Sequence, residues 1–294
     1  MERINNVSLK KYTGLGCDDL FECDYFGMAN AVLPNTIAFI DEEKYVEQLN
    51  SNKNIEVVIC TEELRGKIHN KTVVFCDDPR YDFYTFYNEI IERNAVRVET
   101  EISSSAIIDP KAHVSDYNVK IGPNTYVGPN ASILPDVEIG SNCYIKAGAV
   151  VGSEGFELKR TKKGIINVLH DGKVFIGNDV KIGANTIIHK GFSFRHTVIA
   201  DDVKVDDLVY IAHSAHIGKG CFLIGNCMIS GSATLKENIW VGPGVTISNG
   251  LTIGNNAYLT IGSVVTKDVK DGGKVTGNFA IPHETFMKNL KKDL

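Results

Sequence analysis

Imidazole is the side chain whose ordinary pKa lies in the physiological range, so the eight histidines of this 294-residue chain are the first candidates for acid–base chemistry. They are His69, His113, His170, His189, His196, His213, His216 and His283. The seven cysteines (17, 23, 60, 76, 143, 221 and 227) are weaker candidates. No two of them have the C-x₂₋₄-C spacing of a zinc site, and their odd number and scatter do not describe a disulfide framework. An all-imidazole metal site needs a third histidine beside His196 and His213, and none falls at a convincing offset, so no metal is expected. From spacing alone, the histidines either face a ligand or, on the plainer reading, merely decorate an exposed surface. Lys159, Arg160, Lys162 and Lys163 form a basic cluster that either meets phosphates or is simply solvated.

The scaffold is legible as a repeat. Every sixth residue from Ile199 through Val205, Ile211, Ile217, Leu223 and Ile229 to Val265 is Ile, Leu or Val. The same step runs from Ile121 to Val151 and from Ile176 to Ile188. A period of six fits neither a helical stripe nor plain hairpins. Within each hexad the second residue is often Gly (Gly122, Gly140, Gly183, Gly218) and the fifth is small or β-branched (Ala131, Cys143, Thr186, Ala215, Cys227). Alternate residues of a short strand point to one side, so the first and fifth positions face inward around a tight corner, where glycine relieves the backbone. Three flat faces close one coil of about eighteen residues, and stacked coils share a continuous core. Cys143, Cys221 and Cys227 then fill that core.

The repeat places the histidines. His213 is third in the hexad that begins at Ile211. The hexad at Phe194 puts His196 third one coil earlier, the hexad at Ile229 puts Gly231 third one coil later, and Asn249 follows. Coils stack about 4.8 Å apart, so His196, His213 and Gly231 should form a column, with glycine leaving room for a ligand against the backbone. The repeat is broken by a seven-residue step after Val114, by an excursion over 153–175 and by a five-residue step after Phe194; the excursion, which carries the basic cluster, is where function often sits. Residues 1–104 lack the repeat. Strands are expected at Thr36–Ile40, Ile55–Cys60 and Thr72–Cys76, and helices over Asp41–Asn50 and Pro79–Arg93, the second capped by Asp77 or Asp78. The division is 1–104 as an α/β domain, 105–276 as the coils, and 277–294 as a tail with a short helix.

Composition narrows the function. With 43% apolar residues, 23% charged and a net charge of −5, this is a folded chain and not one built around nucleic acid. No apolar run is long enough to span a membrane, no secretory leader is apparent, and the cysteine usage suits a reduced, cytoplasmic protein.

The hexads resemble those of the left-handed parallel β-helix acyltransferases, and the handedness is taken from that resemblance. Val205-Asp-Asp-Leu-Val-Tyr-Ile-Ala-His-Ser214, Gly152-Ser-Glu-Gly-Phe156, Ile182 to Gly191 and Ile229-Ser-Gly-Ser232 resemble stretches of the UDP-3-O-acylglucosamine N-acyltransferases of lipid A synthesis, in the same order and over about residues 30–265. The resemblance implies His213 as general base, Asp206 as its support and the Gly231 amide as the group facing the thioester oxygen. It also implies that 1–104 is a nucleotide-binding domain with a base-binding motif at Phe39, Glu42 and Tyr45, where Glu42 stands in place of the family's Asn; His196 and Asn249, placed by the repeat in the column of His213, are the further candidates for substrate contact. The family's second active-site histidine falls at Gly250. The tail, Gly277-Asn-Phe-Ala280, resembles the closing motif of acetyl-CoA-dependent sugar acetyltransferases and makes Gly277 and Asn278 candidates for cofactor contact. The chain also stops about twelve residues after Pro282, short of the long helices expected for docking acyl carrier protein.

The resulting expectation is a mainly β homotrimer that moves an acyl group from a thioester, acetyl-CoA first, to the amine of a nucleotide-linked amino sugar. The alternatives are the lipid A reaction with acyl carrier protein as donor, and a non-catalytic sugar-nucleotide-binding or scaffold protein.

Overall fold

The computed structural model describes residues 2–17, 19–277 and 282–285. The chain divides into two compact units. One consists of Met1–Val98, Glu154–Gly172 and Gly191–Arg195; the other of Glu99–Ser153, Lys173–Lys190 and His196–Leu294.

The second unit is a left-handed parallel β-helix. Two- to four-residue strands form three parallel sheets of eight, nine and eight strands, one for each face of the coil. The register joins each repeat to the next at equivalent positions, Ile211 to Ile229 and Ile229 to Ile247 on one face, Ile199 to Ile217 and Ile217 to Leu235 on another. First- and fifth-position side chains are buried in one continuous core, including Ile211, Ala215, Ile229 and Ala233. Cys143, Cys221 and Cys227 lie in that core, and burial pushes the thiols of Cys221 and Cys227 up to about 11 and about 12. Such thiols remain protonated at neutral pH and act as apolar filler.

The corner works differently from the sequence expectation. The left-handed turn is made at the fourth hexad position, not the second: Asn124, Asn130, Asp136 and Asn142 have φ of 57°, 57°, 67° and 57°. Asn and Asp tolerate this region because their short polar side chains find local partners. The second-position glycines serve close approach instead. A Cβ at Gly122 would lie 2.7 Å from the carbonyl carbon of Gly140, and one at Gly140 would lie 2.6 Å from the Gly177 oxygen. At these two positions the neighbouring coil stands too close for a side chain.

In the first unit, four parallel strands run Tyr25–Gly27, Thr36–Phe39, Ile55–Cys60 and Thr72–Phe75 in that spatial order. The strand at Tyr25 and the N-terminal helix Asn6–Thr13 carry little periodicity and were not expected. The first predicted helix is reduced to a 3₁₀ turn, Glu43–Tyr45, followed by Val46–Ser51. The second runs Pro79–Asn94, with proline in its first turn and the Asp78 carboxylate accepting from the Tyr81 N–H at 3.2 Å. The 153–175 interruption is more than a loop. It contains an antiparallel hairpin, Leu158–Thr161 with Gly164–Asn167, that belongs to the first unit.

The basic cluster on this hairpin is largely committed to structure. The Lys162 N–H donates to Asp78 Oδ2 at 2.6 Å and its ammonium to the Asp77 carbonyl at 2.6 Å. Lys163 lies 3.4 Å from Asp82, and Lys159 pairs with Glu157. Lys162 and Lys163 meet the acidic start of the Pro79–Asn94 helix, so they are neither simply solvated nor left for phosphate.

Candidate active site

The site is built on the face that runs through Ile188, Ile211, Ile229 and Ile247. The imidazole of His213 lies directly against Gly231. A Cβ added there would sit 2.4 Å from His213 Cε1 and 2.6 Å from Nε2, so any larger residue at 231 must displace the ring. The predicted pairing of these third positions across successive coils is present. Asn249, third one coil further on, is exposed.

Third-position amides are commonly capped elsewhere on the β-helix. Ser141, Asn178, Ala184, Gly225, Glu237 and Asn255 each donate to an Asn or Asp side chain from the adjacent coil, at 2.6–3.1 Å. The Gly231 N–H makes no such bond among the described residues. The amides of Ala147, Asp201, Asp207, Lys219, Asn249 and Ile261 are also uncapped, so what sets Gly231 apart among the described glycines is the imidazole lying on it. An open amide beside a possible base is the arrangement an acyl-transfer oxyanion requires.

The predicted place of His196 is corrected. The step of five after Phe194 is not a shortened hexad. Gly191–Arg195 is a five-residue insertion that belongs to the first unit, and the coil resumes at His196. The residue one coil before His213 in the third position is Lys190, because Ile188 pairs with Ile211. Its ammonium is 3.2 Å from Asp136 Oδ2, with the lysine side chain only 12% exposed. His196 is fourth in its hexad. Its Nδ1 accepts from the Lys173 N–H at 3.1 Å, and its ring meets Phe175 edge-on at 5.1 Å.

Asp206 also lies elsewhere within one chain. It follows the strand Lys204–Val205 on the preceding face, while His213 follows Tyr210–Ile211. Its Oδ2 accepts from the Gly225 N–H at 3.1 Å. Seven residues of coil carry the chain from one corner to the next, so Asp206 belongs to the corner before His213.

Two residues overlooked in the sequence complete the surroundings. His189, second in the Ile188 hexad, is 9% exposed, and the Tyr210 hydroxyl lies 3.3 Å from its Nδ1. Burial, and after it the neighbouring His213, hold the His189 pKa below the ordinary imidazole value. Thr197 is fully buried; its hydroxyl donates to the His189 carbonyl at 2.7 Å and accepts from the Ser214 N–H at 2.8 Å. It ties the coil of His189 to the turn that presents His213. The sequence signal was available, since both positions fall next to an interruption in an otherwise strict repeat.

The expected base-binding residues divide. Phe39 is a core side chain at 5% exposure, 4.9 Å from Phe83 and 5.5 Å from Tyr84, because its strand is buried on both faces. It cannot stack on a ligand there. Tyr45 is 38% exposed with Lys44 over its ring, and Glu42 pairs with Lys44. Gly277 is pressed onto the coil, where a Cβ would lie 2.5 Å from Ser263 Cα, so close packing accounts for this glycine. Asn278 and residues 286–294 of the tail lie outside the described residues. Among the described residues, no three His, Cys, Asp or Glu side chains are grouped to hold a metal, and no helix is long and apolar enough to cross a membrane.

Residues 118–153 match the model of the bacterial transferase hexapeptide family, described as six repeats. The chain is 32% identical over 164 residues to the UDP-3-O-acylglucosamine N-acyltransferase of Herminiimonas arsenicoxydans, covering 56% of this chain and 47% of that protein. A longer match, 29% identical over 260 residues, covers 84% of this chain and 78% of the enzyme of the same name from Albidiferax ferrireducens. The chain is a hexapeptide-repeat protein resembling the UDP-3-O-acylglucosamine N-acyltransferases. This hexapeptide-repeat chain spans about half the length of several curated relatives it matches. A solved UDP-N-acetylglucosamine acyltransferase from Campylobacter jejuni aligns at 24% identity with a TM-score of 0.49, over 60% of this chain and 72% of that one.

Proposed function

We propose that the protein is an N-acyltransferase that moves an acyl group from a thioester to the amine of a nucleotide-linked glucosamine. The observation that carries this reading is the His213 ring against the open Gly231 amide. His213 takes the proton as the amine attacks the thioester carbonyl, the Gly231 N–H stabilises the developing oxyanion, and collapse expels the carrier thiolate. Because the long match is to a UDP-3-O-acylglucosamine N-acyltransferase, we favour a UDP-3-O-acylglucosamine acceptor with a carrier-protein-linked donor over acetyl-CoA. Tyr45 is the aromatic left to meet the nucleotide base, and Asn249 remains a candidate for acceptor contact.

Asp206 and His213 occupy different corners of one chain, which supports assembly as a homotrimer in which the Asp206 corner of one copy meets the His213 corner of the next. Sedimentation at micromolar concentration should give a trimer; a monomer with full activity would overturn that arrangement. A panel of acetyl-CoA, longer acyl-CoA and 3-hydroxyacyl-carrier protein, each with UDP-glucosamine or UDP-3-O-acylglucosamine, tests the reaction. Amide product from the carrier-linked donor is expected. Faster turnover from acetyl-CoA would restore the short-chain reading, and no amide from any pair would reject acyl transfer.

A further inference from the structure

His189 is a buried imidazole for which the reaction above has no use. It lies one coil before His213, while Gly231 lies one coil after, as the pairing of Ile188 with Ile211 and of Ile211 with Ile229 requires. The oxyanion amide and His189 therefore flank the base from opposite sides. Tyr210 meets the His189 ring edge-on at 4.9 Å and engages Nδ1 through its hydroxyl, which leaves Nε2 with no hydrogen bond to any described residue. On the other side, Ser153 is the register neighbour of His189, and its hydroxyl is buried without a partner. Buried polar groups are rarely left unsatisfied, and the Ser153 hydroxyl is such a group, one coil from His189 at the edge of the proposed site. The nearby cation offers no alternative role, since Lys190 is already paired with Asp136.

We propose that His189 is a specificity-determining residue of the acyl-transfer site, fixed by Tyr210 so that Nε2 hydrogen-bonds the acceptor sugar on the side of His213 away from Gly231. The inference rests on the acyl-transfer reading for the identity of the acceptor. With the thioester carbonyl at Gly231, the amine-bearing sugar must approach from the opposite side, where His189 and Ser153 lie. Burial keeps this imidazole neutral, so it suits a sugar hydroxyl or an ester carbonyl beside the amine and not the diphosphate. If the Tyr210 hydroxyl donates to Nδ1, Nε2 carries the proton and is a donor.

The test is calorimetric binding of UDP-glucosamine together with steady-state kinetics, for the full chain and for His189→Ala, His189→Gln and Tyr210→Phe. Loss of one uncharged hydrogen bond should weaken acceptor Kd and raise acceptor KM roughly five- to tenfold in His189→Ala, with donor KM and kcat little changed. His189→Gln, whose amide can reach the Nε2 position, should recover most of the loss; a purely structural role would not show this split. Tyr210→Phe leaves the ring in place and should move acceptor affinity in the same direction by less, which keeps the test available if His189→Ala fails to fold. Acceptor Kd and KM within twofold of the parent in folded variants would overturn the assignment. Should the parent bind UDP-glucosamine but transfer no acyl group, the acyl-transfer reading fails while the binding arm still decides the role of His189. A parent that neither binds nor reacts overturns both.

Discussion

The corner carrying Ser141, Asn178 and Glu237 and the corner carrying His213 and Gly231 are made from the same hexad. At the first, side chains from adjacent coils cap the amides of Ser141, Asn178, Glu237 and Asn255: Asn178 accepts from Ser141 while its own amide donates to Asp201. At the second, the corresponding amide at Gly231 is open and an imidazole covers it. One arrangement satisfies the backbone within the protein, whereas the other leaves a donor for a ligand. A repeat scaffold thus separates stability from chemistry by what stands at one position in six. Thr186 and Thr197 sharpen the contrast. Both use an inward hydroxyl to bridge coils, but Thr186 ties Asp206 to Val209 and Thr197 ties His189 to the His213 turn.

Removing the proposed base should have the largest effect. His213→Ala is expected to lower kcat by roughly 10²–10⁴ with thermal stability retained, measured as thiol release from the acyl donor. Activity near that of the parent would leave the open corner without chemistry. Gly231→Ala should come next, by roughly 10²–10³ in kcat, because the added Cβ must push the ring away from the amide. Thr197→Val strands a buried carbonyl and a buried N–H, so it should cost about 1–3 kcal/mol in denaturant unfolding and also lower turnover. Asn178→Ala at the capped corner should cost about 1 kcal/mol and leave turnover unchanged; lost activity there would erase the distinction between the corners.

The smallest effect is the pH dependence contributed by His189. Its native pKa lies below the ordinary value of 6.5, so below that pH the unfolded chain binds more protons. Its contribution to stability is therefore fully present above about pH 6.5 and declines as pH falls through that window toward the native value. Comparing unfolding free energies of the parent and His189→Gln at about pH 7.5 and about pH 5.5 checks this, with the flatter response expected from the variant.

The coils were legible because their period is enforced by burial: first and fifth positions must be apolar or small for stacked coils to share a core. His213 and Gly231 were legible for the same reason, since both lie on the regular side of the last interruption. His196 was misplaced because a five-residue insertion and a five-residue step look alike until the register is known. Phe39 was misjudged because a strand buried on both faces has no periodicity to separate core from surface. The roles of His189 and Thr197 depend on contacts between coils, and those contacts follow only once register is fixed.

The most direct test of the His213–Gly231 unit is a double-mutant cycle in kcat, from the parent through His213→Ala and Gly231→Ala to the double variant. If the glycine serves mainly to let the ring lie beside the amide, little remains for Gly231→Ala to remove once His213 is gone. The double variant should then be about as slow as His213→Ala alone. Fully multiplicative losses would contradict the account, since they would mean that ring and amide act independently.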